Sequence, residues 1–169
     1  MPRDAYDYDA RVTIDEQLER MHQHLVRAGR WREMVALAER LKQRIADPQL
    51  DRGICHMDLT LNNVHRSGDT LTVFDFDSAG RCWRALEPYG VLRLSASYFR
   101  DWLEGYRAVR AFGRTDEEAV AAFGIVGDLR VVAWNLGVAA SSRGAPLLTP
   151  ADLPAVVDDW LRWEREHLT

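Results

Sequence analysis

The sequence predicts an α-rich α+β fold, and three observations carry that prediction. Apolar residues recur at helical spacing through 13–50 and again through 83–169. Between them, 53–80 holds apolar runs too short for helices, broken by turn residues. A hydrophobic content of 47% and a charged content of 28% over 169 residues describe an ordinary globular chain with enough apolar side chains for one core. The expected organisation is a single domain, 1–169, with an irregular start (1–12), a helical pair (13–50), a loop and hairpin (53–80) and a helical subdomain (83–169).

Residues 1–12, including Tyr6, Asp7, Tyr8 and Asp9, show no periodicity. Thr13 and Glu16 have the spacing of a capping box, so the first helix is expected to open at Thr13. Ile14, Leu18, Met21 and Leu25 follow on one face, and Gly29 closes the helix. His22 and His24 lie two apart, point to different sides and read as surface residues, not a chelating pair. The second helix runs from Trp31 to Ile45 on a stripe of Trp31, Met34, Val35, Ala38, Leu41 and Ile45, and Asp47-Pro48 stops it. Gly53-Ile54-Cys55 reads as a short buried strand. Beyond Gly80 helices return. Trp83–Leu94 is broken by Pro88, and the next stripe is Tyr98, Trp102, Tyr106 and Val109. A second capping box at Thr115 and Glu118 opens a long apolar helix that ends at 141–144. The last helix takes Thr149 as its cap and Pro150 as its first residue.

The chemistry concentrates in Cys55–Gly80. Asn63-Val64-His65 and Leu71–Phe74 read as two β runs joined at Ser67-Gly68-Asp69, where Gly68 is free to take φ > 0. Asn63 enters this hairpin and Asp75 leaves it, so antiparallel pairing sets their backbones roughly 5 Å apart. An amide oxygen and a carboxylate so placed form a hard-oxygen pair suited to Mg²⁺, which takes few protein ligands and completes its shell with substrate phosphates. Asp58 precedes them on the loop, within reach of a substrate hydroxyl.

The order His56-x-Asp58-x-x-x-x-Asn63, then Asp75-Phe76-Asp77, follows the template of a kinase catalytic loop. Met57 stands where protein kinases carry Arg, which favours a small-molecule kinase. The stretches Cys55-His56-Met57-Asp58-Leu59 and Val73–Gly80 resemble the aminoglycoside phosphotransferase and choline kinase-like family, with its H-G-D-L-x-x-x-N loop and I-D-F-D/E segment. The run 98–107 resembles that family's Phe-Leu-x-Gly-Tyr helix, and the likeness covers nearly the whole chain. It implies a protein-kinase-like C-terminal lobe whose β-hairpin carries the catalytic and metal motifs. It also implies in-line transfer of the ATP γ-phosphate to the hydroxyl of a small molecule. Asp58 would be the base, Asn63 and Asp75 the Mg²⁺ and nucleotide-side ligands, Asp77 a further metal contact, and His56 a residue that structures the loop. Met57 and Asn62 replace family glycines, and Thr60 stands where a second His is common. Glu87-Pro88 falls where the family has an Asp in Tyr-Asp-Leu-Ala, and Glu87 is the candidate to replace that Asp. No glycine-rich strand-loop-strand precedes the loop, and the one lysine, Lys42, lies on a helix. The nucleotide-binding N-terminal lobe is therefore expected to be absent, with a partner lobe or a homo-oligomer to complete the site.

The net charge of −4 argues against nucleic-acid binding and suits a cationic substrate. Cys55 and Cys82 lack metal-type spacing and read as reduced thiols of a cytoplasmic protein. No membrane span or targeting segment is expected. Two rival readings exist. Asp75-Phe76-Asp77 also resembles the D-x-D nucleophile motif of haloacid dehalogenase-like phosphatases, but position 79 is Ala and no Lys follows. The other rival is a non-catalytic binding or regulatory lobe, which Mg-ATP binding would discriminate.

Overall fold

The computed structural model describes residues 6–138 and 148–168. They divide into two compact units. One is Ala10–Pro48 with the described part of Ala121–Thr169; the other is Gln49–Val120 with the described part of Met1–Asp9. Among the described residues the chain is mostly helical, with two small sheets.

The first unit is helical throughout. The chain enters as a π-helical turn, Arg11–Asp15, continuous with α1, Glu16–Arg27. The expected capping box does not form. Thr13 is buried, and the Glu16 carboxylate is taken by Arg11. Gln17 Nε2 donates to the Val12 carbonyl at 2.8 Å. Gly29, at φ +70°, ends the helix as expected, and Arg30 N–H donates to the Leu25 carbonyl at 2.9 Å. Helix α2, Trp31–Ile45, buries Met34, Leu37, Ala38, Leu41 and Ile45. His22 packs edge-on against Trp31, 4.6 Å between ring centres.

Helix α5 spans Arg114–Val138, after two helices and five strands described below, and its residues from Ala121 belong to this unit. It opens one residue before Thr115, which places Thr115 inside the helix and not at its cap, and Glu118 pairs with Arg114 at 2.6 Å. Its expected end, 141–144, lies outside the described residues. Contrary to expectation, Arg114–Gly137 is long and apolar enough to cross a membrane; 61% of that window is buried within the fold, as in a core helix. Helix α6, Leu153–His167, begins three residues after Pro150. Thr149 donates to the Asp152 carboxylate through both N–H (2.8 Å) and Oγ1 (2.7 Å), so the capping partnership is reversed. Trp160 Nε1 donates to Asp128 at 3.2 Å, and Arg40 holds Glu164 with two bonds of 2.5 and 2.8 Å.

The second unit carries the sheets. Strand β2, Arg52–Cys55, runs antiparallel to β5, Gly80–Trp83, with Arg52 opposite Trp83 and Cys55 opposite Gly80. Strand β1, Tyr6–Asp7, lies parallel on the other side of β5, giving the order β1-β5-β2. Both β1 and β5 depart from expectation, since the sequence predicts an irregular 1–12 and no strand after the hairpin. Neither segment has a period of its own; each takes its extended form from the ladder it joins. The hairpin of β3, Val64–Ser67, and β4, Thr70–Val73, turns at Gly68, φ +58°, with Ser67 opposite Thr70. After β5 come a 3₁₀ turn (Arg84–Leu86), α3 (Tyr89–Leu94) and α4 (Ala96–Val109). Ser95 caps α4 by accepting from Ser97 N–H at 3.1 Å. The buried face of α4 is Phe99 and Leu103, whereas Tyr98 and Val109 of the expected stripe are 62% and 91% exposed.

Candidate active site

His56, Asp58, Asn63, Asp75 and Asp77 all lie in this second unit, on the loop after β2, the hairpin and the turn after β4, and Glu87 follows β5 in the same unit. His56 is buried. Its Nε2 lies 2.9 Å from the Phe74 carbonyl, and its Nδ1 lies 3.3 Å from Asp58 N–H. A carbonyl only accepts, so Nε2 carries the proton and Nδ1 accepts, which fixes the neutral tautomer. His56 thus ties the loop after β2 to the end of β4.

Asp58 is exposed, and Asn63 is buried beside it. Asn63 Nδ2 donates to the Asp58 carbonyl at 2.8 Å and to its carboxylate Oδ2 at 2.9 Å. One amide therefore holds both the backbone and the side chain of Asp58, leaving Oδ1 of each residue outside these bonds. Asn63 is also where the hairpin starts: its carbonyl accepts from Phe74 N–H at 3.1 Å, next to Asp75 in the chain. Asp75 has φ +65°, a left-handed conformation that Asp tolerates better than most residues. The Asp75 and Asp77 side chains are exposed and make no hydrogen bond or ion pair with a described residue. The structure joins Asp58, Asn63 and His56 directly and brings Asp75 to Asn63 through the backbone alone. Among the described residues no group of three His, Cys, Asp or Glu side chains could hold a metal ion. That donor set suits Mg²⁺ only with oxygens from a phosphorylated ligand.

Met57 lies between His56 and Asp58 with φ +68°, and its side chain is 6% exposed. It occupies the position where the resembling family has glycine, and the left-handed backbone is the physical reason glycine suits it. Glu87 holds the strained segment: its carboxylate accepts from His56 N–H at 3.2 Å and Met57 N–H at 2.9 Å. The sequence offered Glu87 only as a replacement for a family Asp; nothing in it placed the carboxylate under the loop, 30 residues upstream. Glu87 is set there by the 3₁₀ turn and by Arg84, whose Nε donates to Asp51 at 2.8 Å. Arg84 lies so close over β2 that a Cβ on Gly53 would fall 1.8 Å from its Nη2.

Cys55 and Cys82 are buried and free. Burial, followed by the nearby Glu87 charge, pushes the Cys55 thiol up to about 12, and burial raises Cys82 as well. Both are neutral packing groups rather than nucleophiles.

A short strand feeding a His-x-Asp loop, then an Asn-entered hairpin and a turn bearing free carboxylates, with helices after it, define a kinase-like C-terminal lobe. The strand is not buried as expected, since Ile54 is exposed and only Cys55 is buried. The chain matches the model of the phosphotransferase enzyme family over residues 2–123, and it belongs to that family. Its fold is also that of a choline/ethanolamine kinase family protein from Mesorhizobium loti, with a TM-score of 0.68 and 15% sequence identity. That match covers 95% of this chain and 55% of the other, so this chain spans about half the length of that protein. No curated protein matches the sequence. The phosphatase reading of Asp75-Phe76-Asp77 loses its footing here, since no strand follows Trp83 among the described residues where that fold alternates strands and helices.

Proposed function

We propose that this chain is the catalytic and metal-holding part of an ATP-dependent small-molecule phosphotransferase that uses a hydroxyl acceptor. The observation that carries the reading is the grip of Asn63 on Asp58. A carboxylate with one oxygen pinned by an amide and the other open to solvent is pre-oriented to receive a hydroxyl. Asp58 would orient that hydroxyl and accept its proton late in transfer. Asn63 Oδ1 and the Asp75 carboxylate would hold Mg²⁺ on the nucleotide side, with Asp77 as a further oxygen. Mg²⁺-ATP, when bound, supplies the phosphoryl group and neutralises the charge that builds on it. His56 keeps the loop against β4, and Glu87 keeps its amides in line. Three exposed carboxylates at one site, on a chain of net charge −4, favour a cationic acceptor.

Titration calorimetry with Mg-ATP tests the reading. Wild-type chain should bind, and Asp75→Ala should lose most of that binding. In a substrate screen that follows ADP release, Asp58→Asn should lower kcat by at least about a hundredfold with little change in nucleotide affinity. No binding at millimolar Mg-ATP would overturn the proposal for this chain and favour a lobe that needs a partner.

A further inference from the structure

We propose that Tyr8 is a positioning residue for Asp75 and Asp77, holding the metal-side turn in place from the N-terminal strand. The inference rests on the reading of Asp75 as a metal ligand. The Tyr8 hydroxyl donates to the Ser78 carbonyl at 3.0 Å. The N–H of that same peptide unit, on Ala79, donates to the Phe76 carbonyl at 2.9 Å. One peptide plane is thus held at both ends, and the turn it closes, Phe76–Ala79, contains Asp77 and follows directly on Asp75. Neither carboxylate has a described partner of its own, so the backbone alone sets where their Cα–Cβ bonds point. Asp75 sits at φ +65°, from which the turn must leave in one particular direction. Rotating the Ser78–Ala79 peptide would break both bonds together and free the segment that aims the two side chains.

The fit around Gly80 supports the same assignment. A Cβ there would lie 2.5 Å from the Tyr6 carbonyl oxygen and 2.6 Å from Tyr8 Cε2, so β1 seats against the end of the turn with no space between them. Independent anchors keep Tyr8 in place. Its N–H donates to the Arg81 carbonyl at 2.8 Å. Arg52 donates to its carbonyl at 2.9 Å and to the Asp7 carboxylate at 2.6 Å. The hydroxyl can therefore be removed without releasing the strand, and Tyr8→Phe isolates its contribution.

The experiment is a Mg²⁺ titration at fixed ATP, read by calorimetry, on wild type and Tyr8→Phe, with thermal melting and amide hydrogen exchange of both ligand-free proteins. Tyr8→Phe should need about fivefold more Mg²⁺ for half-maximal binding, the scale of one hydrogen bond, while its melting temperature stays within about 3 °C. Amides of 76–79 should exchange about fivefold faster, and those of 52–55 should not change. An unchanged Mg²⁺ midpoint overturns the assignment, as does a loss matched by general destabilisation. If wild type binds no Mg-ATP, the phosphotransferase reading fails separately. Exchange then decides the inference: local deprotection at 76–79 upholds the hold on the turn, and unchanged exchange there overturns it.

Discussion

At the scale of single residues, the loop from His56 to Asn63 is a balance between Met57 and Glu87. A non-glycine residue in the left-handed region costs about 1–2 kcal/mol, and Met57 sits there at φ +68°. Two amide bonds to a carboxylate, each worth about 1.5–3 kcal/mol when the acceptor is charged, are enough to hold it. The two effects should therefore couple. Met57→Gly relieves the backbone but discards a buried side chain, so alone it should destabilise by about 1 kcal/mol. Glu87→Ala should destabilise by about 2–3 kcal/mol because two loop amides lose their acceptor. In the Glu87→Ala background, Met57→Gly should become neutral or stabilising. Urea unfolding of the four proteins checks this, and strict additivity would sink the coupling. The same residues mark what was legible in the sequence. Asp58 and Asn63 stood out because five positions of chain fix their relation locally. Glu87 was legible only as the stand-in for a family Asp, because its relation to Met57 exists only once the turn after β5 has folded back.

At the scale of elements, local chemistry was readable wherever an element makes its own bonds. The β3–β4 hairpin is the clearest case for its turn at Gly68, but its register, Ser67 opposite Thr70, sets Asn63 against Phe74, one residue short of the expected Asn63–Asp75 pairing. Strand β5 is the opposite case, since Gly80–Trp83 is extended only because β2 and β1 flank it. The capping boxes at Thr13 and Thr115 fail for one shared reason: each Thr lies inside a helical turn, Arg11–Asp15 or the start of Arg114–Val138, and not at the residue before one. The hairpin's independence also has a consequence. Every residue of β4 is exposed, so little packing supports it, and two-stranded hairpins are marginal by themselves. Amides of 64–73 should exchange faster than those of 52–55 and 80–83. Gly68→Ala, at φ +58° in open space, should weaken the hairpin by about 1 kcal/mol through backbone strain alone. Exchange rates confined to 64–73 should rise accordingly. A global change, or none, would show that the hairpin is held by something beyond its own turn.

At the scale of the whole molecule, the loop and hairpin carry an excess of uncovered apolar surface. Leu61 is 86% exposed, Leu71 65% and Phe76 58%, and Leu59, Val73 and Phe74 are exposed with them. All six fall within 59–76, the same stretch that carries Asp58, Asn63 and Asp75. Single exposed leucines mean nothing, but six exposed apolar residues within one short stretch are more than isolated surface positions explain. A folding requirement cannot account for them, since exposed side chains contribute little to the core. A second copy of this chain is the cover that can be tested directly. The isolated chain should then self-associate at tens of micromolar and bind a hydrophobic dye. Replacing Leu61 and Leu71 with Lys should abolish both behaviours while moving stability by about 0.5 kcal/mol per site or less, because neither side chain is packed. Sedimentation of wild type and the double variant separates the outcomes. A wild type that stays monomeric and binds no dye would mean the apolar stretch needs no cover. The surface would then have to be read as the floor of a ligand site that works in this chain unaided.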